Sequence, residues 1–251
     1  MAKSHPTVTA DYFDAVLFDL DGVLTSTARV HSACWKKMFD EFLKGYSAER
    51  KEPFEPFDID ADYRPYVDGK PRYDGVRSFL ESRAIPLPNG SPDDLPEERT
   101  VCGLGNRKDQ LFNEMVRSEG VEAYEGTIDW VRSLRSHGIK TAVVSSSKNC
   151  RVILQVAGIE ELFDTRVDGE VAAQRSIPGK PAPDTFLEAA RELAVKPERA
   201  VVVEDAISGV QAGHAGGFGL VIGVDRHDDA DALSDNGAHI VVKDLAEMLA
   251  E

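Results

Sequence analysis

Three short apolar runs, each breaking off into charged or hydroxyl side chains, constrain this chain more than any other feature. Ala15-Val16-Leu17-Phe18 runs into Asp19-Leu20-Asp21-Gly22. Ala142-Val143-Val144 runs into Ser145-Ser146-Ser147-Lys148-Asn149, and Val201-Val202-Val203 runs into Glu204-Asp205. Apolar runs this short, bounded by turn residues, suit strands buried on both faces. Aspartate and glycine end such strands because they favour turns. From Gly126 onward apolar runs alternate with helical patterns. Helices are predicted over 127–137, 149–157, 182–194, 206–215 and 230–236, and strands over 141–145, 163–167, 200–203, 220–224 and 239–242, with 244–249 closing the chain. That alternation predicts an α/β fold, a Rossmann-like parallel sheet covered on both faces.

The middle of the chain breaks the pattern. Val30, Ala33, Cys34, Met38 and Phe42 recur at helical spacing over 28–42, with Ser26 or Thr27 available as cap. Prolines then fall at 53, 56, 65, 71, 86, 88, 92 and 96. Short helices are expected over 74–83, through Val76, Phe79 and Leu80, and over 107–119, through Leu111, Met115 and Val116. The core is therefore discontinuous, 1–26 with 125–251, and 27–124 is an inserted helical cap domain. An insertion placed directly after Asp19 and Asp21 is expected to sit over the carboxyl end of the sheet as a lid.

The formal net charge of −15 argues against nucleic acid and anionic membrane surfaces as partners. No segment approaches the ~20 apolar residues of a membrane span. Residues 1–9 are polar and too short for a secretory signal. Cys34, Cys102 and Cys150 are scattered, as reduced thiols would be in a cytoplasmic protein. The chain is expected to work as a cytoplasmic monomer on a small molecule.

Taken singly, each polar stretch has two readings. Asp19 and Asp21 are either a solvated turn, or a nucleophile toward phosphorus and a general acid/base two residues on. Ser145 to Asn149 either cap a helix or form an anion site at its N-terminus. Gly179-Lys180-Pro181-Ala182-Pro183 either holds a surface lysine or fixes a cation between carboxylates and phosphate, with Pro183 suited to a first helical position. Glu204 and Asp205 either cap a helix near Ala206 or offer oxygen ligands to Mg2+, with Asp19. All four stretches are expected at the carboxyl ends of predicted parallel strands, so they would converge on one sheet edge, where open α/β sheets bind ligands. Carboxylates, hydroxyls and a lysine together are what phosphoryl transfer with Mg2+ requires.

These four stretches, in this order, resemble the haloacid dehalogenase superfamily, and the position of the insertion resembles its helical cap. The resemblance implies that Asp19 is the nucleophile and Asp21 the acid/base. It implies that Ser145 and Lys180 hold the transferring phosphoryl group. Mg2+ would be held by Asp19, Asp205 and the backbone carbonyl of Asp21, with Glu204 assisting. An aspartate two after the nucleophile speaks against dehalogenation. Phe18-Asp-Leu-Asp-Gly-Val-Leu-Thr, and Thr27, His31 and Trp35 four apart on one helix, are similar to the β-phosphoglucomutase family. That likeness places His31 and Trp35 near the substrate, and gives the second phosphate of a sugar bisphosphate to Ser146, Ser147, Lys148, Asn149 and Arg107. Three features depart from it: Ser26 stands where an acidic residue is common, 47–101 is longer than the compact cap, and 174–178 adds residues before Lys180.

The resemblance thus implies a mutase interconverting β-glucose 1-phosphate and glucose 6-phosphate, with sugar phosphate and sugar bisphosphate as partners. The alternative is a sugar-phosphate phosphatase on the same core residues. A non-catalytic binding protein would have no need of Asp19, Asp21, Lys180 and Asp205 together. Gly213, Gly216, Gly217 and Gly219 follow a helix and precede a strand, the reverse of a dinucleotide-binding fingerprint.

Overall fold

The computed structural model describes residues 8–226 and 228–249. Residues 1–7 of the stretch assessed for a secretory signal lie outside the described residues. The chain divides into two compact units, residues 1–26 with 121–251, and residues 27–120.

The first unit begins with β1 (Ala15–Phe18), every residue of which is fully buried. The chain then enters the second unit through α1 (Ala28–Arg50), which continues through α2 (Arg64–Tyr66), α3 (Arg72–Ser82) and α4 (Val101–Glu119). Back in the first unit come α5 (Glu125–Ser136), β2 (Lys140–Val144), α6 (Cys150–Val156), β3 (Thr165–Val167), α7 (Gly169–Arg175) and α8 (Asp184–Glu192). Then follow β4 (Ala200–Glu204), α9 (Ile207–Ala215), β5 (Leu220–Val224), α10 (Ala230–Asp235) and β6 (Ile240–Val242).

The described residues form one six-stranded parallel sheet in the order β3-β2-β1-β4-β5-β6. A parallel sheet wrapped by helices buries both faces, which is why its strands read as unbroken apolar runs. On one face Leu17, Val202, Phe186, Val210 and Phe218 share a core, with Phe186 edge-on to Phe218 at 6.1 Å. On the other, Phe18 meets Trp130 and Phe163 edge-on, at 5.5 and 6.2 Å between centroids. Register, more than packing, decides which side chains meet at the edge of the sheet. Phe18 lies level with Val143 on one side and Val203 on the other, so the residues after these three strands emerge side by side.

The second unit has its own aromatic core. Phe39 stacks on Trp35 and Phe57 at 5.4 and 4.9 Å and lies 4.2 Å from Phe79. The proline-rich stretch is pinned to α1, with Lys36 Nζ donating to Phe57 O at 2.7 Å and Phe57 N to Asp40 Oδ1 at 2.8 Å.

Several predicted boundaries shift. The helix expected over 28–42 runs on to Arg50, because its last turns are polar but uninterrupted by proline or by a break in periodicity. The side-chain cap expected from Ser26 or Thr27 is not made. Thr27 takes the N-cap position in a helical conformation, which turns its side chain away from the first-turn amides, and Ser26 Oγ donates to Glu122 O. Pro183 holds the N-cap of α8, with Asp184 first in the helix. The helix expected from 107 starts at Val101, where Thr100 Oγ1 accepts from Gly103 N at 2.8 Å. A π-turn at Ile59–Tyr63 and the helix α7 were not anticipated. No helix among the described residues is long and apolar enough to cross a membrane.

Phe186 tests the sheet-to-helix packing. Its ring is fully buried, so Phe186→Ala is expected to cost about 3–5 kcal/mol in a urea melt. Phe186→Leu, which keeps most of the volume, is expected to cost less than half of that. Equal losses in the two variants would mean that the cavity is not what destabilises the protein.

Candidate active site

The level ends of β1, β2 and β4 meet on one ammonium group. Lys180 Nζ donates to Asp19 Oδ1 at 2.5 Å, to Val144 O at 3.0 Å and to Glu204 Oε1. It also lies 5.0 Å from the centre of the Phe186 ring. Lys180 is 3% exposed, Glu204 1% and Asp19 8%, so three charged groups share a nearly dry site. Isolated buried charges are prohibitively costly, and they are tolerated here because each has a partner of opposite sign.

Glu204 has a second duty. Its Oε2 accepts from Asp205 N and Ala206 N, both at 3.0 Å, which fixes the turn between β4 and α9. These bonds fix the turn before α9, but the helix itself, with Ala206 at its N-cap, has no side-chain cap, so the cap expected from Glu204 or Asp205 is not made. The carboxylate packs so closely beneath the first turn of α9 that a Cβ on Gly209 would lie 1.8 Å from Oε1. Asp205 follows, and its carboxylate, with those of Asp19 and Glu204, offers ligand atoms all within 4.8 Å of one another. These three acidic residues could hold a metal ion.

Asp21 sits on the loop that leaves β1, and that loop is tied at many points. Asp19 N donates to Val203 O at 2.9 Å, Gly22 N to Thr25 O at 2.8 Å, and Leu24 N and Thr25 N both to Leu20 O. Thr127 Oγ1 donates to Val23 O at 3.0 Å. Gly22 adopts φ +85°, and a Cβ there would lie 1.8 Å from Asp205 Oδ2. Glycine is therefore required at this position twice over, by conformation and by the approach of Asp205.

Beyond β2, Ser145 is buried and its Oγ accepts from Ser147 N at 3.1 Å. Ser147 Oγ accepts from Asn149 N at 3.1 Å, so the serines shape their own turn before α6. Ser146 and Asn149 are half-buried and Lys148 is exposed. Gly169 backs this loop closely, since a Cβ on it would lie 2.6 Å from Ser146 O.

The remaining predicted residues belong to the second unit. Trp35 is buried in the aromatic core of that unit. His31 stacks on Phe112, with ring centres 4.0 Å apart. Arg107 reaches Glu41 at 3.4 Å and Gln110 at 3.3 Å from a partly exposed position. Its neighbour Lys108, which no sequence pattern singles out, is 5% exposed. Lys108 Nζ meets His31 Nδ1 and lies 5.3 and 4.9 Å from the Trp35 and Phe112 rings. A buried lysine among aromatic rings leaves no trace in a periodicity count.

Burial pushes the Asp19 carboxyl well above the usual carboxylate range, and the charge of Glu204 adds to the push against the opposing pull of Lys180. For Lys180, burial works against its charge, but Asp19 and Glu204 outweigh it and hold the ammonium above the ordinary lysine value of 10.5. The stability this lysine confers is therefore fully present below 10.5 and is lost only as pH rises through the higher folded value. Lys180→Met would leave two carboxylates buried without a cation, at a cost of about 3–5 kcal/mol at pH 7 in chelator. In that variant the folded state takes up protons that the unfolded state does not bind, so stability is expected to rise as pH falls from 7 to 5. Urea melts at pH 5, 6 and 7 check this. A gap between variant and parent that stays constant across the range would refute the charge cluster as the cause.

A family model of haloacid dehalogenase-like hydrolases matches residues 13–217. The β-phosphoglucomutase of Mycobacterium bovis is 49% identical over 238 residues, covering 94% of this chain and 91% of that protein. Among solved structures, an HAD-family hydrolase from Deinococcus radiodurans with bound phosphate and sodium is 32% identical, with a TM-score of 0.62 over 94% of this chain and 93% of that one. A β-phosphoglucomutase from Clostridium difficile shares the fold at 24% identity, with a TM-score of 0.70 over 94% of this chain and 93% of that one. This chain belongs to the haloacid dehalogenase-like hydrolases and is an enzyme of phosphoryl transfer.

Proposed function

We propose that this enzyme interconverts β-glucose 1-phosphate and glucose 6-phosphate through an aspartyl phosphate on Asp19. The observation that carries the chemistry is the buried Asp19 carboxylate, bonded to Lys180 and clustered with Glu204 and Asp205. In this reading a carboxylate oxygen of Asp19 forms a bond to one phosphorus of the sugar bisphosphate while the bond from that phosphorus to its sugar oxygen breaks, which leaves a sugar monophosphate. Asp21 gives its proton to that departing oxygen, then takes one from the sugar hydroxyl that attacks the aspartyl phosphate in the return step. Lys180 steadies the nucleophile and offsets the charge of the incoming phosphate, and Ser145 donates to a phosphoryl oxygen. An all-oxygen cluster of carboxylates this tight fits Mg2+, which Asp19, Asp205 and the Asp21 carbonyl would hold beside Glu204. When bound, Mg2+ would neutralise charge on the transferring group.

The choice of a mutase over a phosphatase is supported by the 49% identity to a β-phosphoglucomutase across nearly both whole chains. A mutase must retain a bisphosphate between its two half-reactions, and Arg107, Ser146, Ser147, Lys148 and Asn149 are assigned to its second phosphate, with His31 near the sugar and Trp35, buried in the aromatic core, packed behind it. The 3.4 Å pairing of Arg107 with Glu41 is weak enough for a phosphate to displace.

Asp19→Asn is expected to abolish turnover and phosphate labelling of the protein. Asp21→Asn is expected to lower turnover by roughly 10²–10⁴-fold, the usual share of a general acid/base. Excess chelator should stop the reaction and Mg2+ restore it, and Asp205→Ala should raise the Mg2+ concentration needed. Activity retained in chelator would remove the metal from the reading.

The mutase assignment has its own test. β-Glucose 1-phosphate with a catalytic amount of glucose 1,6-bisphosphate should yield glucose 6-phosphate faster than free phosphate. Arg107→Ala and Lys148→Ala should each lower mutase flux at least about tenfold, as expected for losing charged hydrogen bonds of ~1.5–3 kcal/mol. Free phosphate as the main product, without response to the bisphosphate, would make the enzyme a phosphatase.

A further inference from the structure

Arg226, just past the end of β5, makes contacts that neither the sheet nor the proposed chemistry requires. Its Nε donates to Gly22 O at 2.7 Å and its Nη1 to Lys243 O at 3.1 Å. Its guanidinium lies against Tyr124, 3.8 Å from the ring centre. Tyr124 is itself part of the same assembly, since Tyr124 N donates to Leu24 O at 3.0 Å. One planar group therefore joins the loop after β1, the segment after β6 and the entry to α5. Arginine suits such a junction because its donors are fixed in one plane and its face stacks on aromatics.

The carbonyl it grips belongs to Gly22, the residue after Asp21. Gly22 is also where the backbone presses on Asp205 at a positive φ. A residue held in that conformation keeps it only if its surroundings over-determine it. Arg226 supplies such a restraint from outside the loop.

We infer that Arg226 is a positioning residue: by holding the Gly22 carbonyl against Tyr124 it fixes the turn that aims Asp21 and seats Gly22 on Asp205. The catalytic consequence rests on the reading of Asp21 as acid/base, whereas the clamp itself does not. Asp19 is held separately, through its own amide on Val203 O and through Lys180. At saturating Mg2+, which offsets any weaker hold by the Asp21 carbonyl and Asp205, the loss of Arg226 should therefore fall on proton transfer and spare attack by Asp19.

The test uses Arg226→Met, which keeps the apolar stem, and Arg226→Lys, which keeps a charge and its donors but cannot hold both carbonyls while lying flat on the ring. Amide hydrogen exchange reads the clamp directly. Exchange at Gly22, Leu24 and Thr25 should quicken at least about tenfold in Arg226→Met, with amides of β4 unchanged. Two substrates then read its consequence. Turnover of the sugar phosphate, whose leaving oxygen needs a proton, should fall about 10–100-fold with KM changed less than about threefold. Phosphorylation of Asp19 by acetyl phosphate, whose leaving group needs no proton, should stay within about twofold of the parent. Arg226→Lys should recover part of the sugar-phosphate rate.

Unchanged exchange in the loop would overturn the proposal, whatever the kinetics. Equal losses with both substrates would also overturn it, because Asp19 would then be disturbed as well. A parent enzyme that acetyl phosphate does not label at Asp19 would defeat the aspartyl-phosphate reading instead, and the exchange measurement would still decide whether Arg226 holds the loop.

Discussion

One buried ammonium holds the working end of this sheet together. Lys180 reaches the ends of three neighbouring strands at once, through Asp19 after β1, Val144 O at the end of β2 and Glu204 at the end of β4. Two carboxylates this close and this dry would otherwise repel each other or bind protons. The lysine between them offsets part of that repulsion, and one of the two, Asp19, is the nucleophile of the proposed reaction. The arrangement is also self-consistent in charge: one ammonium set against two carboxylates, with Asp205 nearby, makes a site suited to a divalent cation.

Around that cluster the backbone is specified by close approach. Gly22 must admit Asp205, Gly209 must admit Glu204, and Gly169 must admit the serine loop. At Gly22 and Gly169 the segments that press together come from distant parts of the chain. A methyl group at any of the three would push apart the groups that share the phosphate in the proposed reaction. Core packing then acts at one remove. Phe186, buried between α8 and the sheet, also presents its ring to Lys180, so the same side chain fills the hydrophobic layer and lines the ammonium.

The sheet was legible in the sequence because parallel strands buried on both faces must be unbroken apolar runs, and Ala15–Phe18 and residues 200–203 are of that kind. The joint presence of Asp19, Ser145, Lys180 and Asp205 was legible because strand ends in such a sheet share one edge, and the structure brings Asp19, Lys180, Glu204 and Asp205 together there. What stayed hidden depended on contacts between remote residues. Lys108 reads as a solvated helix residue until His31, Trp35 and Phe112 close over it. Arg226 reads as a surface arginine because its partners are backbone carbonyls, which have no letter of their own. The helix α7 has too few residues for a periodic stripe, and its signal is Asp168, which accepts from Glu170 N and Val171 N.

The strand order has a consequence for how the chain is made. β1 is among the first of these segments to leave the ribosome, yet both of its neighbours come much later, at 140–143 and 200–203. Its apolar residues have no partner strand until more than half of these residues have been synthesised. The intervening residues, 27–120, can form their own compact unit in that interval. Closing the sheet then requires long-range pairing, which is slow because loop closure precedes the contacts that reward it. Asp19 is synthesised early, but Glu204 and Asp205 arrive with β4, so the carboxylate cluster assembles only once β1 has found this late strand.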